Sequence, residues 1–216
     1  MSQARNLQEF KDGFAYEMDQ VYRVRGASLG QGFVEYERYL EYVWMYFLAH
    51  GITDPMVVEI GLGAFNAQRD FYRNILGADH IGIDINGCIQ PSPDIAGSSA
   101  DPEIFQKLKE ILDGRPFDLL FIDGDHGYQG VKTDYEMYSP LSMHLVGLHD
   151  VLVRGLGGMC EVDVLWDELH VQNKQDTLIS FHHTNDTPCL IPKTLGIGLI
   201  IKEPTRVWGP EYARDT

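Results

Sequence analysis

Met56-Val57-Val58-Glu59-Ile60-Gly61-Leu62-Gly63 is a short apolar run ending in a carboxylate and two glycines. Its first five residues predict a buried strand, since a brief apolar stretch bounded by turn residues fits a strand covered on both faces. Gly61 and Gly63 allow a tight turn and a close approach of backbone to ligand at the head of the next helix. That helix is expected over Ala67–Leu76, with Asn66 as its N-cap and Gly77 at its end. Outward from here the alternation repeats. Strands are expected at Ile81–Ile85, Phe117–Ile122, Met143–Leu148, Thr177–His182 and Ile197–Lys202. The helices between them begin at Asp101-Pro102-Glu103 and run to Leu112, then cover Gly130–Tyr138 and Trp166–Val171. Strands alternating with helices of this length predict a doubly wound α/β domain, a parallel sheet with helices on both faces.

Upstream lies a different pattern. Phe33, Tyr36, Leu40, Val43, Phe47 and Leu48 recur at helical spacing, and Gly51 stops that helix after His50. Arg23 to Gly32 is a glycine-bearing loop that could fold over a ligand as a lid. The expected organisation is an N-terminal helical extension over residues 1–52, the α/β domain over 53–205 and a tail over 206–216. Six aromatics between Tyr36 and Phe47 predict either packing or a contact between copies of the chain in a homo-oligomer.

Composition narrows the function classes. The chain has 216 residues, enough to bury roughly 70% of its unfolded surface without disulfides or a structural metal. Its 17 basic residues face 32 acidic ones, a net charge of −15. That field repels phosphate backbones, so a nucleic-acid partner is not expected. Cys88, Cys160 and Cys189 are too few and too scattered for a disulfide framework or a zinc site. Residues 1–13 lack the apolar run of a signal peptide, and no apolar stretch approaches the length that crosses about 30 Å of hydrocarbon. A cytoplasmic protein without a membrane partner is expected.

In open α/β sheets ligands bind beyond the carboxyl ends of the strands, so the residues there matter most. They are Glu59, Gly61 and Gly63 after the first strand, Asp84 after the second, Asp123-Gly124-Asp125-His126 after the third, and His149-Asp150 after the fourth. Asp84 lies 23 residues beyond Gly61, near the roughly 20-residue spacing at which an acid grips ribose hydroxyls. Position 66 is Asn, so the third glycine of a dinucleotide fingerprint is missing. A carboxylate at Glu59 suits a cationic ligand better than a pyrophosphate.

These segments resemble class I S-adenosylmethionine-dependent methyltransferases. Val57 to Gly63 is similar to that family's first motif, Ile81 to Asp84 to its second, and Ser99-Ala100-Asp101 to the segment flanking adenine. Leu120 to Asp134, His149-Asp150, Val164 to Leu169 and Gly196 to Leu199 resemble the branch of sugar and macrolide O-methyltransferases and cephalosporin hydroxylase-like proteins. The resemblance implies a mostly parallel, seven-stranded Rossmann-like sheet, so that either a further strand lies between Cys88 and Ser98 or its equivalent is short. It implies S-adenosylmethionine as cofactor, held by Glu59, Gly61, Gly63, Asp84, Ala100 and Asp101. It also implies a divalent metal on Asp123, His149 and Asp150, with His126 as general base. His149 stands where that branch carries a carboxylate; magnesium prefers oxygen, whereas imidazole also suits manganese, iron or zinc.

The function so implied is metal-assisted transfer of a methyl group to a hydroxyl of a small molecule, a sugar or a glycosylated natural product. Two rivals remain at this level. A nicotinamide-dependent oxidoreductase could use Gly61, Gly63 and Asp84, and a non-catalytic cofactor-binding protein could keep the fold. Base methylation of nucleic acid is disfavoured by the charge and by the lack of an Asn/Asp-Pro-Pro-aromatic motif. His182 and His183 are expected on opposite faces of a strand, unable to share one metal. His144 and His170 are expected in solvent, and Asp125 could cap the helix that follows it.

Overall fold

The computed structural model describes residues 3–24, 33–63, 66–153, 160–173, 175–182 and 195–202. Helix α1 (Leu7–Asp19) continues into one π-helical turn, Gln20–Val24, and α2 (Phe33–Ala49) follows. Then come β1 (Met56–Ile60), α3 (Gln68–Ile75), β2 (Asp79–Asp84), β3 (Ile95–Ala96), α4 (Pro102–Leu112), β4 (Phe117–Ile122) and α5 (Tyr128–Tyr138). After a single 3-10 turn, β5 (Ser142–His149), α6 (Val162–Gln172), β6 (Thr177–Phe181) and β7 (Ile197–Ile201) complete the described chain. The seven strands form one sheet in the order β3-β2-β1-β4-β5-β7-β6. From β3 to β5 all neighbours are parallel, and β7 inserts antiparallel between β5 and β6. This is the doubly wound, mostly parallel Rossmann-like sheet expected, and β3 is the short strand between Cys88 and Ser98.

Both faces of the sheet are covered. On one side α1, α2 and α3 pack Phe10, Phe14, Tyr36, Tyr39 and Phe71 against Val57, Phe121 and Leu145. On the other, Ile104, Leu108, Val131 and Trp166 pack against Val58, Ile60, Leu120 and Val146. Each fully buried side chain of this size contributes about 1.5–3 kcal/mol. The central strand β4 is buried at every position, as a strand roofed on both faces must be.

Two local expectations differ from the structure, while the expected N-terminal extension contains a helix for which the sequence set no bounds. That helix, α1, spans Leu7–Asp19. Asn6 caps it by accepting the Glu9 N–H at 3.0 Å, and Phe10, Phe14 and Met18 form a narrow buried stripe. In α2 the buried face is Glu35, Tyr36, Tyr39, Leu40, Val43, Trp44 and Phe47, whereas Phe33 and Leu48 are 43% and 42% exposed. The aromatics on that face are used within the chain: Tyr39 packs 5.2 Å from Phe121 and 6.0 Å from Phe181. Asn66 does not cap α3. It adopts φ 45° and Ala67 takes the cap position without a side-chain bond, so Asn66 serves the left-handed turn before the helix.

The chain reverses direction across the sheet between β1 and β4, which places the ligand crevice above these two strands. Among the described residues no helix is long and apolar enough to cross a membrane. Residues 25–32 of the expected lid, residues 203–216, His183 and Cys189 lie outside the described residues.

Candidate active site

The loops after β1 and β4 touch. Gly61 has φ +82°, and a Cβ there would lie 2.1 Å from the Asp123 carbonyl oxygen. The Gly61 N–H donates to Ile83 O at 2.9 Å and the Asp123 N–H to Ile60 O at 2.8 Å, extending the parallel ladder past the strand ends. Gly63 is also left-handed, at φ +61°, but a Cβ there would meet nothing within 4 Å among the described residues. Asp84 closes β2 and accepts two backbone bonds, from the Leu62 N–H to Oδ2 and the Asn86 N–H to Oδ1, each 2.7 Å. Its carboxylate is thereby fixed to the glycine loop, with lone pairs left for a ligand.

A cavity of about 550 Å3 sits on these loops, a size that suits a small organic ligand. Its described walls are Ile60, Gly61 and Gly63, then Ile83 to Ile85, Gly97 to Ser99, and Asp123 to His126. Ala100 and Asp101 are not among these residues. Asp101 instead caps α4, accepting the Glu103 N–H at 2.9 Å. Asp125 accepts the Gly127 N–H at 2.8 Å and does not cap α5, whose cap residue is Gly127. A Cβ on Gly130 would meet the Asp125 carboxyl carbon at 2.3 Å, which accounts for a glycine inside that helix.

Glu59 lies below the cavity, not in its wall. It is fully buried, and its Oε2 is 2.7 Å from His80 Nε2. Burial raises the Glu59 carboxyl well above its usual range and pushes His80 down to about 3, so the pair is held neutral. The pH consequences follow in sign. The folded chain keeps a proton on Glu59 that the unfolded chain releases above its ordinary value of 4.5, so this contribution fades as pH rises. His80 is protonated in the unfolded chain below 6.5 but not in the folded one until about 3, so its contribution fades as pH falls through that interval. Stability from the pair should therefore peak between pH 4.5 and 6.5. Relative to Glu59→Gln, the native chain should lose melting temperature progressively as pH rises above 4.5; a native chain that instead gains on the variant as pH rises would show the pair to be charged.

Beside the cavity, four side chains converge. Asp123, His126, His149 and Asp150 each offer a ligand atom, all within 4.8 Å of one another. His149 Nδ1 is 2.9 Å from Asp123 Oδ1 and 3.2 Å from Asp150 Oδ1. His126 Nε2 lies 3.4 Å from Asp123 Oδ1 and 3.2 Å from Asp150 Oδ2. Parallel strands β4 and β5 end side by side, with Ile122 opposite Leu148, which is why residues 26 positions apart meet. Asp150 takes a left-handed φ of 63°, a geometry costly for most side chains and tolerated by Asp. The loop after β4 is pinned from α6, as the Glu161 N–H donates to His126 O at 2.7 Å and Glu161 Oε2 accepts the Tyr128 N–H at 3.0 Å.

The electrostatics are those of a shared site. Burial disfavours a charged His149, yet Asp123 outweighs it and lifts this imidazole to about 9. Burial also opposes ionisation of Asp123, but the two imidazoles hold its carboxyl below the usual range. His126 is raised chiefly by its bond to Asp123, and Asp150 is raised by burial. His126 is the most open member, its side chain 41% exposed against 5% for His149. The donor set fits a divalent cation: ligand atoms of two carboxylates and two imidazoles lie within 4.8 Å of one another, and the buried Asp150 Oδ1 makes no aligned hydrogen bond, only the 3.2 Å contact with His149 Nδ1.

Other histidines separate from this site. His144 is not solvated as expected; it packs 6.0 Å from the Tyr46 ring and 3.7 Å from Asp118 Oδ1. His182 is exposed at the end of β6, and its carbonyl accepts from Arg38 at 3.5 Å. His170 is exposed. The residue not anticipated near the cluster is Glu35 of α2, 1% exposed and close enough to His149 for each to shift the other's titration. Its signal was a carboxylate one turn before Tyr39 on an apolar helix face.

No protein-family model matches the sequence, and no curated protein matches it. Solved structures match the fold. The O-methyltransferase from Bacillus cereus in complex with SAH has a TM-score of 0.57 at 13% identity, over 88% of this chain and 91% of that one. The O-methyltransferase TomG from Streptomyces achromogenes, involved in tomaymycin synthesis and bound to SAM, has 0.59 at 13% identity, over 89% and 90%. The MycE methyltransferase of the mycinamycin biosynthetic pathway, in complex with Mg, SAH and mycinamycin VI, has 0.52 at 16% identity, over 79% and 51%. The chain thus spans about half the length of MycE. The resemblance to class I methyltransferases holds at the level of the fold.

Proposed function

We propose that the chain is an S-adenosylmethionine-dependent O-methyltransferase that methylates a hydroxyl of a small molecule, with a divalent cation beside the donor. The observation that carries this reading is that Asp123 and His126 belong both to the cavity wall and to the four-residue cluster. A sulfonium donor in the cavity then lies next to the groups that activate an acceptor.

Each residue has a task in that arrangement. Gly61 and Gly63 give the methionine part room against bare backbone. Asp84 accepts the ribose hydroxyls through lone pairs not used by Leu62 and Asn86. Ser99 flanks the adenine from the cavity wall, with Ala100 and Asp101 next to it in the chain but outside that wall. Glu59 acts from beneath, keeping the strand end below the glycine loop in place. Asp123, His149 and Asp150 would hold the cation, magnesium or manganese, which when bound lowers the pKa of a coordinated hydroxyl.

In the reaction the acceptor oxygen forms a bond to the methyl carbon as the carbon–sulfur bond breaks. The sulfonium becomes a neutral thioether, and His126 takes the hydroxyl proton. Positioning of donor and acceptor in line supplies much of the remaining acceleration. TomG and MycE belong to natural-product pathways, and MycE was crystallised with mycinamycin VI, which supports a hydroxylated natural product as acceptor.

Calorimetry with S-adenosylhomocysteine and, separately, with NAD tests the cofactor: only the first should bind. His126→Ala should lower turnover by about 10²–10⁴-fold, the usual weight of a general base, with S-adenosylhomocysteine and cation affinity nearly unchanged. A parallel loss of cation affinity would make His126 a ligand and overturn its assignment as the base.

A further inference from the structure

The cluster is also approached from behind, by a carboxylate of the N-terminal helix. Glu35 on α2 is 1% exposed, and its Oε1 has no hydrogen-bond partner. On the facing side His149 Nε2 is equally buried and equally without a partner.

Two independent relations bring these two residues to one place. The Glu35 carboxylate accepts the backbone N–H of Gly196, and Gly196 precedes Ile197, the residue paired with His149 in the β5–β7 ladder. On the other side, a Cβ on Gly147 would lie 3.2 Å from the Tyr39 hydroxyl, so α2 crosses β5 with Tyr39 over position 147. His149 lies two residues further on the same face of the strand, about 6.6 Å away. Glu35 lies one turn before Tyr39, about 6 Å along the helix. Equal steps from a shared contact set Glu35 over His149.

We propose that, with a cation on Nδ1, the two unpartnered atoms Glu35 Oε1 and His149 Nε2 close into a hydrogen bond in which Glu35 accepts the Nε2–H, fixing this imidazole with Nδ1 toward Asp123 and Asp150. A histidine that ligates through one ring nitrogen commonly gives its other N–H to a carboxylate, which sets the tautomer, holds the ring plane and strengthens the ligand. Here that carboxylate comes from outside the α/β domain. Glu35 is thus a positioning residue, and the N-terminal helix completes the cation site. This rests on the proposed metal reading of the cluster.

Manganese titrations of the full chain and of Glu35→Gln, Glu35→Ala and Glu35→Asp test it, with S-adenosylhomocysteine affinity and the melting point of the cation-free protein measured alongside. Glu35→Ala should weaken manganese binding by about 10–100-fold with cofactor affinity unchanged. Glu35→Gln keeps an acceptor oxygen at the same reach and should recover much of that loss. Glu35→Asp keeps the charge but is one methylene short, and should resemble Ala; it carries the test if the Ala variant does not fold. Native chain that binds manganese while all three variants bind it equally well would overturn this inference alone. Parallel losses of manganese affinity, cofactor affinity and melting point would reduce Glu35 to a structural residue. Native chain that binds no manganese would instead remove the metal reading beneath it.

Discussion

Gly61→Ala is expected to abolish S-adenosylhomocysteine binding, whereas Gly63→Ala, two residues along the same loop, should weaken it only modestly. Both glycines are left-handed, so both variants carry about 1–2 kcal/mol of backbone strain. Their surroundings separate them. The added methyl at position 63 meets nothing within 4 Å among the described residues, while at position 61 it would stand 2.1 Å from the Asp123 carbonyl oxygen and 2.4 Å from its carbon. Backbone cannot rotate away as a flexible side chain can, so the loops after β1 and β4 must part. Overpacking of this kind adds about 1–3 kcal/mol or more, a large share of the roughly 5–15 kcal/mol that holds a domain together. Those two loops also carry Asp123 and one wall of the cavity, so the site opens even where the sheet survives. Equal melting points and cofactor affinities for the two variants would show that the loops are not in contact.

Asp123→Asn should produce the other large effect. Asp123 Oδ1 lies between both imidazoles, 2.9 Å from His149 and 3.4 Å from His126. Asparagine keeps the shape and an acceptor oxygen but removes the charge that attracts a cation and lifts His149 to about 9. Manganese affinity should fall by more than the roughly 100-fold that loss of a supporting residue can cost, and methyl transfer should fall with it. Cation binding must also displace the proton from His149 in the native chain, so affinity should drop as pH falls below that value of about 9. Titration calorimetry at several pH values measures both effects. Cation affinity that is independent of pH and unaffected by Asp123→Asn would place the ion elsewhere.

Much of this site was legible because a parallel sheet gathers the residues that follow its strands. Once β1, β2, β4 and β5 are recognised as neighbours, Gly61, Asp84, Asp123 and His149 must share a rim. Strands β1 and β4 coincide with their expected bounds since both are apolar runs roofed by helices. Side-chain direction was harder to read. The two-residue period of β1 sends Glu59 to the side of Val57, beneath α3, while the cavity opens beyond Ile60. The apolar stripe of α1 is narrow, Phe10, Phe14 and Met18 at four-residue steps with Leu7 50% exposed, so the helix rests on tertiary docking. Glu35 escaped notice because a carboxylate on a helix ordinarily reads as solvated, and only the packing of α2 across β5 reveals that it is buried.

The contiguity of donor pocket and cation site can be measured directly by nuclear relaxation of S-adenosylmethionine carrying a carbon-13 methyl group, bound with manganese present. Strong paramagnetic broadening of the methyl signal in the native chain, lost on Asp123→Asn while the donor stays bound, is the expected result. A sharp methyl signal with both donor and manganese bound would contradict it, because the ion and the reacting carbon would then occupy separate places.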